Sequence, residues 1–479
     1  MLKSKYNLNI PGYTNGTDEW ETVYCPYDRL PVAQVELADA SALEHCLTVA
    51  SETFDKIEGQ TPAWKRAEML RAVASKIKER KEELAMLIAT EGGKPLKDAM
   101  VEATRSAITL EECASAALKM EGREWGMQRA PGTEHKMAFT IREPIGVVLA
   151  ISAFNHPLNL ACHQIGTALA AGNTVIMKPG NSTPLSSIIL AEIFSECGLP
   201  EGVLQVVLTS NENAGVLVSS PKIDFLTFIG SARVGWMLRR NIADGTRMAA
   251  EHGGNAASIV LADADLDRAL PLIVRGSYYH AGQVCVSTQR LYVERSIEAE
   301  FTERLIELAK KLKCGDAREA DVEVGPLIEP REVTRVDNWV QEAIKGGAEL
   351  LLGGKPITDT VYATTVLRNA SEDSKVIKEE VFGPVATVQP VDSLDEAIAK
   401  VNASDNPFQS SIFTQDIDMA LSAAKRIHAN AFMINDLTAF RVDWMPFGGR
   451  KVAGLGMGGT EHSVMEMSEE KLIVFNPKV

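Results

Sequence analysis

Apolar residues along the chain first keep a helical rhythm and then gather into short runs separated by helical stretches. From residue 64 the segment Trp64-Lys65-Arg66-Ala67-Glu68-Met69-Leu70, continuing to Ala85, repeats apolar positions at helical spacing with charges between them. A second helix is predicted over 97–117, with Glu102, Arg105 and Glu111 among its polar positions. The turn-rich stretch Arg129-Ala130-Pro131-Gly132-Thr133-Glu134 then interrupts. Apolar runs follow at 145–151, 174–177, 204–208 and 225–229, separated by helix-like stretches near 158–171, 184–197 and 211–219. Strands alternating with helices of this length predict a parallel α/β sheet. The alternation recurs, with runs at 257–261, 291–293, 385–388 and 411–413 and helices near 266–279, 297–312, 394–402 and 417–428. Two α/β lobes are the economical reading. The tail Lys471-Leu472-Ile473-Val474-Phe475 is an isolated apolar strand, which pairs either at an edge of its own subunit or across a subunit contact.

Composition narrows the function. At 479 residues the chain exceeds one ordinary core, and 45% apolar with 24% charged residues is a globular balance. A formal charge of −15 argues against nucleic acid, while leaving room for a locally basic pocket. The seven cysteines (25, 46, 113, 162, 197, 285, 314) are scattered without a CxxC pair, which fits reduced thiols rather than a disulfide framework or zinc site. The eight histidines show no HExxH spacing, so no metal is expected. The first residues lack the apolar core of a signal peptide, and the longest apolar stretch is too short to cross a bilayer. The expected setting is cytoplasmic, with no membrane partner.

Candidate chemistry centres on His280-Ala281-Gly282-Gln283-Val284-Cys285-Val286-Ser287. A lone cysteine is ordinarily a small apolar side chain. Other segments change that reading for Cys285. Glu251-His252-Gly253-Gly254-Asn255 follows a helix-like stretch and sets a carboxylate beside a glycine pair. Ala153-Phe154-Asn155-His156-Pro157 ends a strand and starts a helix, where an amide side chain is exposed. Glu379-Glu380-Val381-Phe382-Gly383-Pro384 joins acids, an aromatic and a tight turn.

In this order and at these separations, the segments resemble the aldehyde dehydrogenase superfamily over nearly the whole chain. Thr174-Val175-Ile176-Met177-Lys178-Pro179 resembles the family's strand to the ribose-binding lysine, and Pro446-Phe447-Gly448-Gly449 its C-terminal loop. Phe228-Ile229-Gly230-Ser231-Ala232-Arg233-Val234-Gly235 resembles its phosphate-facing turn, where Gly230 allows close approach and a helix opens at Ser231. Gly454-Leu455-Gly456-Met457-Gly458-Gly459 matches GxGxxG but follows no clear strand, and is expected to be a flexible loop.

The resemblance implies the aldehyde dehydrogenase fold: a cofactor-binding lobe over 1–121 and 143–253, a catalytic lobe over 254–460, and a small β oligomerisation element from 122–142 and 461–479. It implies a homodimer or homotetramer, with 472–475 pairing across subunits. Cys285 would be the nucleophile, effective as a thiolate, so its pKa must be lowered or a base must be near. Asn155 would donate to the oxyanion, and Glu251 would activate the deacylating water. Lys178 would bind the adenine ribose, Glu380 the nicotinamide ribose, and Phe382 would pack near the nicotinamide. Gly230, Ser231 and Val234 complete the expected cofactor contacts. NAD-preferring relatives carry a glutamate where this chain has Asn181, so the cofactor is NAD or NADP.

Two departures bear on substrate. Phe154 stands where a tryptophan is common, and His156 follows Asn155. With Arg441-Val442-Asp443-Trp444-Met445-Pro446, this looks most like the branch of lactaldehyde, phosphonoacetaldehyde and non-phosphorylating glyceraldehyde-3-phosphate dehydrogenases, whose substrates are small and often anionic. Arg105 and Arg441 are therefore candidate anion clamps, each with a salt bridge as its plainer reading. His156 either helps bind the anion or is a packed, hydrogen-bonded histidine. Val284 stands where some phosphate-using relatives carry arginine. The rival readings are a CoA-acylating or reductive semialdehyde enzyme on this fold, and a non-catalytic structural relative. Glu251 argues against CoA acylation. Asn155, Glu251 and Cys285 together argue against a purely structural role.

Overall fold

The computed structural model describes residues 2–57 and 61–477. The first predicted helix is broken. Ala63–Glu79 ends at Arg80, whose φ of −104° and ψ of 19° leave helical geometry, and Lys81–Gly92 follows directly. The second runs over Leu96–Leu118 and buries Ala99, Ala103, Ala107, Leu110, Cys113 and Ala117 on one stripe. Its small side chains let it approach the helix Pro157–Ala171, where a Cβ on Gly166 would lie 2.8 Å from Leu110 Cδ2.

Two sheets carry the α/β alternation. The six-stranded sheet runs in the spatial order Gly454–Leu455, Arg247–Glu251, Phe225–Ile229, Val147–Ile151, Thr174–Lys178, Leu204–Val206. All its pairings are parallel except the first. Val147–Ile151 lies between strands on either side, so connections leave it in opposite directions and open a crevice at its C-terminal end. Arg247–Glu251 was not marked by the apolar pattern, because Met248 and Ala249 are only half-buried. Glu251 thus ends a strand, not a helix. Gly454–Leu455 is likewise no free loop, since it pairs antiparallel with Ala250 and Glu251 as the sheet's edge.

The seven-stranded sheet is ordered Glu349–Leu352, Thr365–Arg368, Val385–Val391, Thr288–Glu294, Ala256–Val260, Gln409–Phe413, Ala431–Ile434. Only Glu349–Leu352 is antiparallel to its neighbour. The run predicted at 291–293 begins earlier, at Thr288, because Thr288, Gln289 and Arg290 are polar yet buried. Their side chains find partners inside: Arg290 Nε donates to Asn255 O at 2.9 Å, and Gln289 Nε2 to Glu379 O at 2.8 Å. Buried polar groups satisfied this way escape a hydropathy reading.

A third sheet joins Ser468–Phe475, Met137–Pro144 and Glu124–Trp125. The tail therefore pairs within its own chain, antiparallel, from Ser468↔Pro144 to Phe475↔Met137. Its other edge carries no strand among the described residues. No described helix is long and apolar enough to cross a membrane.

The two large sheets meet in a way that places the site. Glu251 ends a strand of the first, and Ala256 begins a strand of the second five residues later. The C-terminal ends of one sheet thereby face the N-terminal ends of the other.

Candidate active site

Asn155 sits between the end of Val147–Ile151 and the start of Pro157–Ala171. Pro157 occupies the first helical turn, where its missing N–H costs nothing. The next free N–H groups are capped from outside: Leu158 N and Asn159 N donate to Glu102 Oε1 at 3.0 and 3.1 Å. The other Glu102 oxygen pairs with the buried Lys94 ammonium. The amide expected to be exposed is buried instead, with Asn155 Nδ2 donating to Gln283 O at 2.9 Å. An amide nitrogen carries two N–H donors, so one remains for another acceptor.

That contact ties Asn155 to the cysteine loop. His280, Ala281 and Gly282 take φ of +48°, +54° and +71° in succession. Gly282 is required there, because a Cβ would lie 2.1 Å from Gly383 O. Gln283 anchors the turn, donating to Pro326 O at 3.1 Å and accepting from Ile328 N at 2.9 Å. Cys285 follows, partly accessible, with its carbonyl accepting from Gly254 N at 3.2 Å. Burial pushes its thiol up to about 12, and the Glu380 and Glu251 carboxylates add to the rise while Arg441 opposes it. The protein alone therefore does not lower this thiol; a nearby base is the route the site offers.

Glu251 reaches toward the same point. A Cβ on Gly458 would lie 1.9 Å from Glu251 Oε1, so the carboxylate rests directly on that glycine. The GxGxxG segment, expected to be a flexible loop, is instead the wall behind Glu251. Phe447 and Gly458 exchange backbone hydrogen bonds, Phe447 N to Gly458 O at 3.0 Å and the reverse at 2.6 Å. Burial raises the Glu251 carboxyl to about 7, with Arg441 pulling it down and Glu466 pushing it up.

Glu380 lies across the crevice, its Oε1 enclosed and without a protein partner. A Cβ on Gly253 would approach that oxygen to 2.0 Å. Burial raises its carboxyl to about 8. Gln289 holds both flanking peptides, donating to Glu379 O at 2.8 Å and accepting from Val381 N at 2.9 Å. Phe382 follows at φ +46° and packs edge-on against Phe154, with ring centroids 5.8 Å apart.

Lys178 ends its strand buried, and donates to Asn181 Oδ1 at 2.8 Å; burial lowers its ammonium to about 8. Gly230 ends the turn after Phe225–Ile229, Ser231 is the N-cap of the helix Ala232–Asn241, and Val234 lies in that helix's first turn. A dinucleotide fits these residues. Helix-start N–H groups suit a pyrophosphate, and the buried Lys178 ammonium and the unpartnered Glu380 Oε1 suit ribose hydroxyls.

Arg105 and Arg441 diverge. Arg105 grips Asp443 with two bonds, Nη2 to Oδ1 at 2.6 Å and Nε to Oδ2 at 3.1 Å. Asp443 also accepts from His163 Nε2 at 2.9 Å and Asn159 Nδ2 at 3.2 Å. These partners hold its carboxyl far below the usual range, against burial. Arg441 instead stacks on the Phe447 ring, 3.5 Å from the centroid, and its enclosed Nη1 has no partner. Phe447 belongs to the same apolar cluster as Val284, Val286 and Cys285. His156 Nε2 meets Tyr279 Oη at 3.2 Å, and burial keeps the ring neutral. Among the described residues no cluster suits a metal ion.

Residues 13–473 match the model of the Aldehyde dehydrogenase family. The chain belongs to the aldehyde dehydrogenase family. It is 40% identical over 471 residues to a 3-sulfolactaldehyde dehydrogenase of Priestia aryabhattai, covering 97% of each chain. Aldehyde dehydrogenase 21 from Physcomitrella patens, solved with the reaction product succinate, is similar at a TM-score of 0.95 and 31% identity, covering 99% of each. A Methanocaldococcus jannaschii glyceraldehyde-3-phosphate dehydrogenase GapN, complexed with NADP, is similar at 0.92 and 33%, covering 96% of this chain and 100% of that one. The protein is an enzyme, an NAD(P)-dependent aldehyde dehydrogenase.

Several parts of this aldehyde dehydrogenase's site escape a reading of the sequence. Glu102, held by Lys94, caps the helix after Asn155 from a distant element, and Gln289 brackets Glu380 from a strand. Asp443 lies in the quoted 441–446 segment, but only the fold brings Arg105 to it.

Proposed function

We propose that the enzyme oxidises a small anionic aldehyde to its free acid through a thioester on Cys285. The observation carrying this reading is the convergence of Cys285, Glu251 and Asn155 from three elements, with Arg441 stacked on Phe447 beside them and its Nη1 without a partner. Bound NAD(P) supplies a cationic ring that accepts the hydride. Cys285 Sγ adds to the aldehyde carbon as Glu251 takes the thiol proton. The oxygen that gains negative charge is held by the second Asn155 N–H and by the Cys285 N–H, and losing one such donor costs about 10²–10³ in rate. Glu251 releases that proton to solvent, then draws one from the water that attacks the thioester, and the C–S bond breaks to free the acid and the Cys285 thiolate. Glu380 and Lys178 hold the two riboses, Phe382 packs at the nicotinamide end, and Gly230, Ser231 and Val234 face the pyrophosphate. Asn181, neutral beside Lys178, leaves room for either NAD or NADP.

Arg441 binds the anionic end of the substrate, and the 3-sulfolactaldehyde dehydrogenase relative supports this class. Arg105 serves the same end indirectly, by fixing Asp443, and His156 shapes the pocket from Tyr279. The lobes are 1–121 with 143–253 for cofactor and 254–460 for catalysis. The element of 122–142 and 461–479 exposes Met137, Phe139, Leu472, Val474 and Phe475, which supports a homodimer or homotetramer. The seven unpaired cysteines support a cytoplasmic setting. NADH and NADPH formation with sulfoacetaldehyde, 3-sulfolactaldehyde, lactaldehyde and propanal tests the reading. An anionic member is expected to lead in kcat/KM; propanal equal to the best anion would refute it.

A further inference from the structure

Charge around the reacting cysteine can be counted group by group. Arg105 and Arg441 are the cations, and Asp443 is the anion between them. Lys94 is matched by Glu102, and Arg275 by Asp98. His156, His163 and His280 are buried, which keeps their rings neutral. Glu251 and Glu380 each contribute nothing when protonated and one negative charge when ionised. The pocket thus offers at most one net positive charge.

The location of that charge is also defined. Asp443 is 2% exposed and takes both of its Arg105 bonds on the guanidinium fork, so Arg105 is already neutralised. His163 Nε2 must carry its proton to donate to Asp443 Oδ1 at 2.9 Å. It therefore cannot accept from Arg441 Nη2, 3.5 Å away, and Arg441 Nε stands 4.0 Å from Asp443. With Nη1 also without a partner, the Arg441 fork is the unspent donor of the cluster.

We propose that Asp443 is a specificity-determining residue: by neutralising Arg105 it leaves a site for a monoanion, sulfonate or carboxylate, and disfavours a phosphonate or phosphate dianion. The inference rests on reading Arg441 as the anion contact. A dianion would bring one more unmatched charge into a desolvated pocket than a monoanion does, an added cost that falls on the dianion alone.

The test compares kcat/KM of the holoenzyme for the near-isosteric sulfoacetaldehyde and phosphonoacetaldehyde, with 3-oxopropanoate as the carboxylate and propanal as the neutral control. At about pH 8.5 the phosphonate is a dianion, since second ionisations of this kind fall near neutrality. Wild type is expected to favour sulfoacetaldehyde over phosphonoacetaldehyde by tenfold or more. Asp443→Asn is expected to shrink or reverse that ratio by at least tenfold, with 3-oxopropanoate tracking sulfoacetaldehyde. Should the variant fail to fold, wild type alone decides. Lowering the pH to about 6 protonates the phosphonate once and should raise its kcat/KM relative to sulfoacetaldehyde. Equal use of both anions at high pH, each far above propanal, would overturn the charge count while leaving Arg441 its role. A ratio unchanged by Asp443→Asn, or by pH, would do the same. Propanal matching sulfoacetaldehyde would instead remove the anion contact itself, and this inference with it.

Discussion

Replacing Gly458 by alanine isolates the carboxylate of Glu251 without altering its chemistry. Gly458 is not in a left-handed conformation, so alanine adds only a methyl group. That methyl would lie 1.9 Å from Glu251 Oε1 and 2.7 Å from Phe447 O. Contact between carbon and oxygen needs roughly 3.2–3.4 Å, so the carboxylate must retreat by more than ~1 Å or the Phe447–Gly458 bridge must open. A misplacement of about 1 Å in a catalytic group typically costs on the order of 10²-fold, or ~2.7 kcal/mol in barrier. Rapid-mixing measurements of NAD(P)H formation separate the steps. Because Glu251 serves both the thiol and the water, NAD(P)H formation on the first turnover of Gly458→Ala should slow, and the later, hydrolysis-limited rate should fall about 100-fold. A melting temperature close to wild type would confirm that the loop still folds. If hydrolysis runs within twofold of wild type, Glu251 resting on Gly458 has no bearing on deacylation, and the assignment of Glu251 as base is wrong.

Other perturbations follow from the same geometry. Because burial raises Glu251 to about 7 and the base acts when ionised, kcat should climb with pH through about 7 and level above it. Glu251→Gln should flatten that limb, and a limb that survives the change would point to another group. Arg441→Leu should lower kcat/KM for anionic aldehydes by about 10- to 100-fold, the scale of a lost charge-assisted hydrogen bond, while propanal barely changes. An equal loss for both would make Arg441 structural. Gly253→Ala, whose methyl would lie 2.0 Å from Glu380 Oε1, should raise KM for NAD(P) and leave KM for the aldehyde nearly as it was. The opposite split would take Glu380 away from the cofactor.

What the sequence makes legible follows from how each signal is encoded. The α/β alternation is readable because buried parallel strands such as Val147–Ile151 and Ala256–Val260 are apolar throughout. Arg247–Glu251 and the first half of Thr288–Glu294 are not, since one is half-buried and the other buries polar side chains that find internal partners. Cys285, Glu251 and Asn155 stand out through their neighbours in the chain, and the fold brings all three to one point. Their states are another matter. Asn155 is buried by a bond to Gln283 O, and the Cys285 thiol is raised rather than lowered, because both depend on groups distant in sequence. The same holds for the arginines: Arg105 grips Asp443 with two hydrogen bonds whereas Arg441 reaches it only at 4.0 Å, a difference visible only once helix Leu96–Leu118 packs beside Asp443. The GxGxxG segment reads as a flexible loop because the partners that order it are distant in sequence: its glycines make room for the Glu251 and Glu466 carboxylates.

The central claim is a covalent acyl intermediate on Cys285. Enzyme mixed with NAD(P) and an anionic aldehyde, quenched in acid within one turnover and digested, should yield the Cys285 peptide heavier by the acyl group of that aldehyde. The adduct should form more slowly but persist longer in Glu251→Gln, and be absent from Cys285→Ala, which should still bind cofactor. Turnover by Cys285→Ala, or an adduct on any other cysteine, would contradict the account.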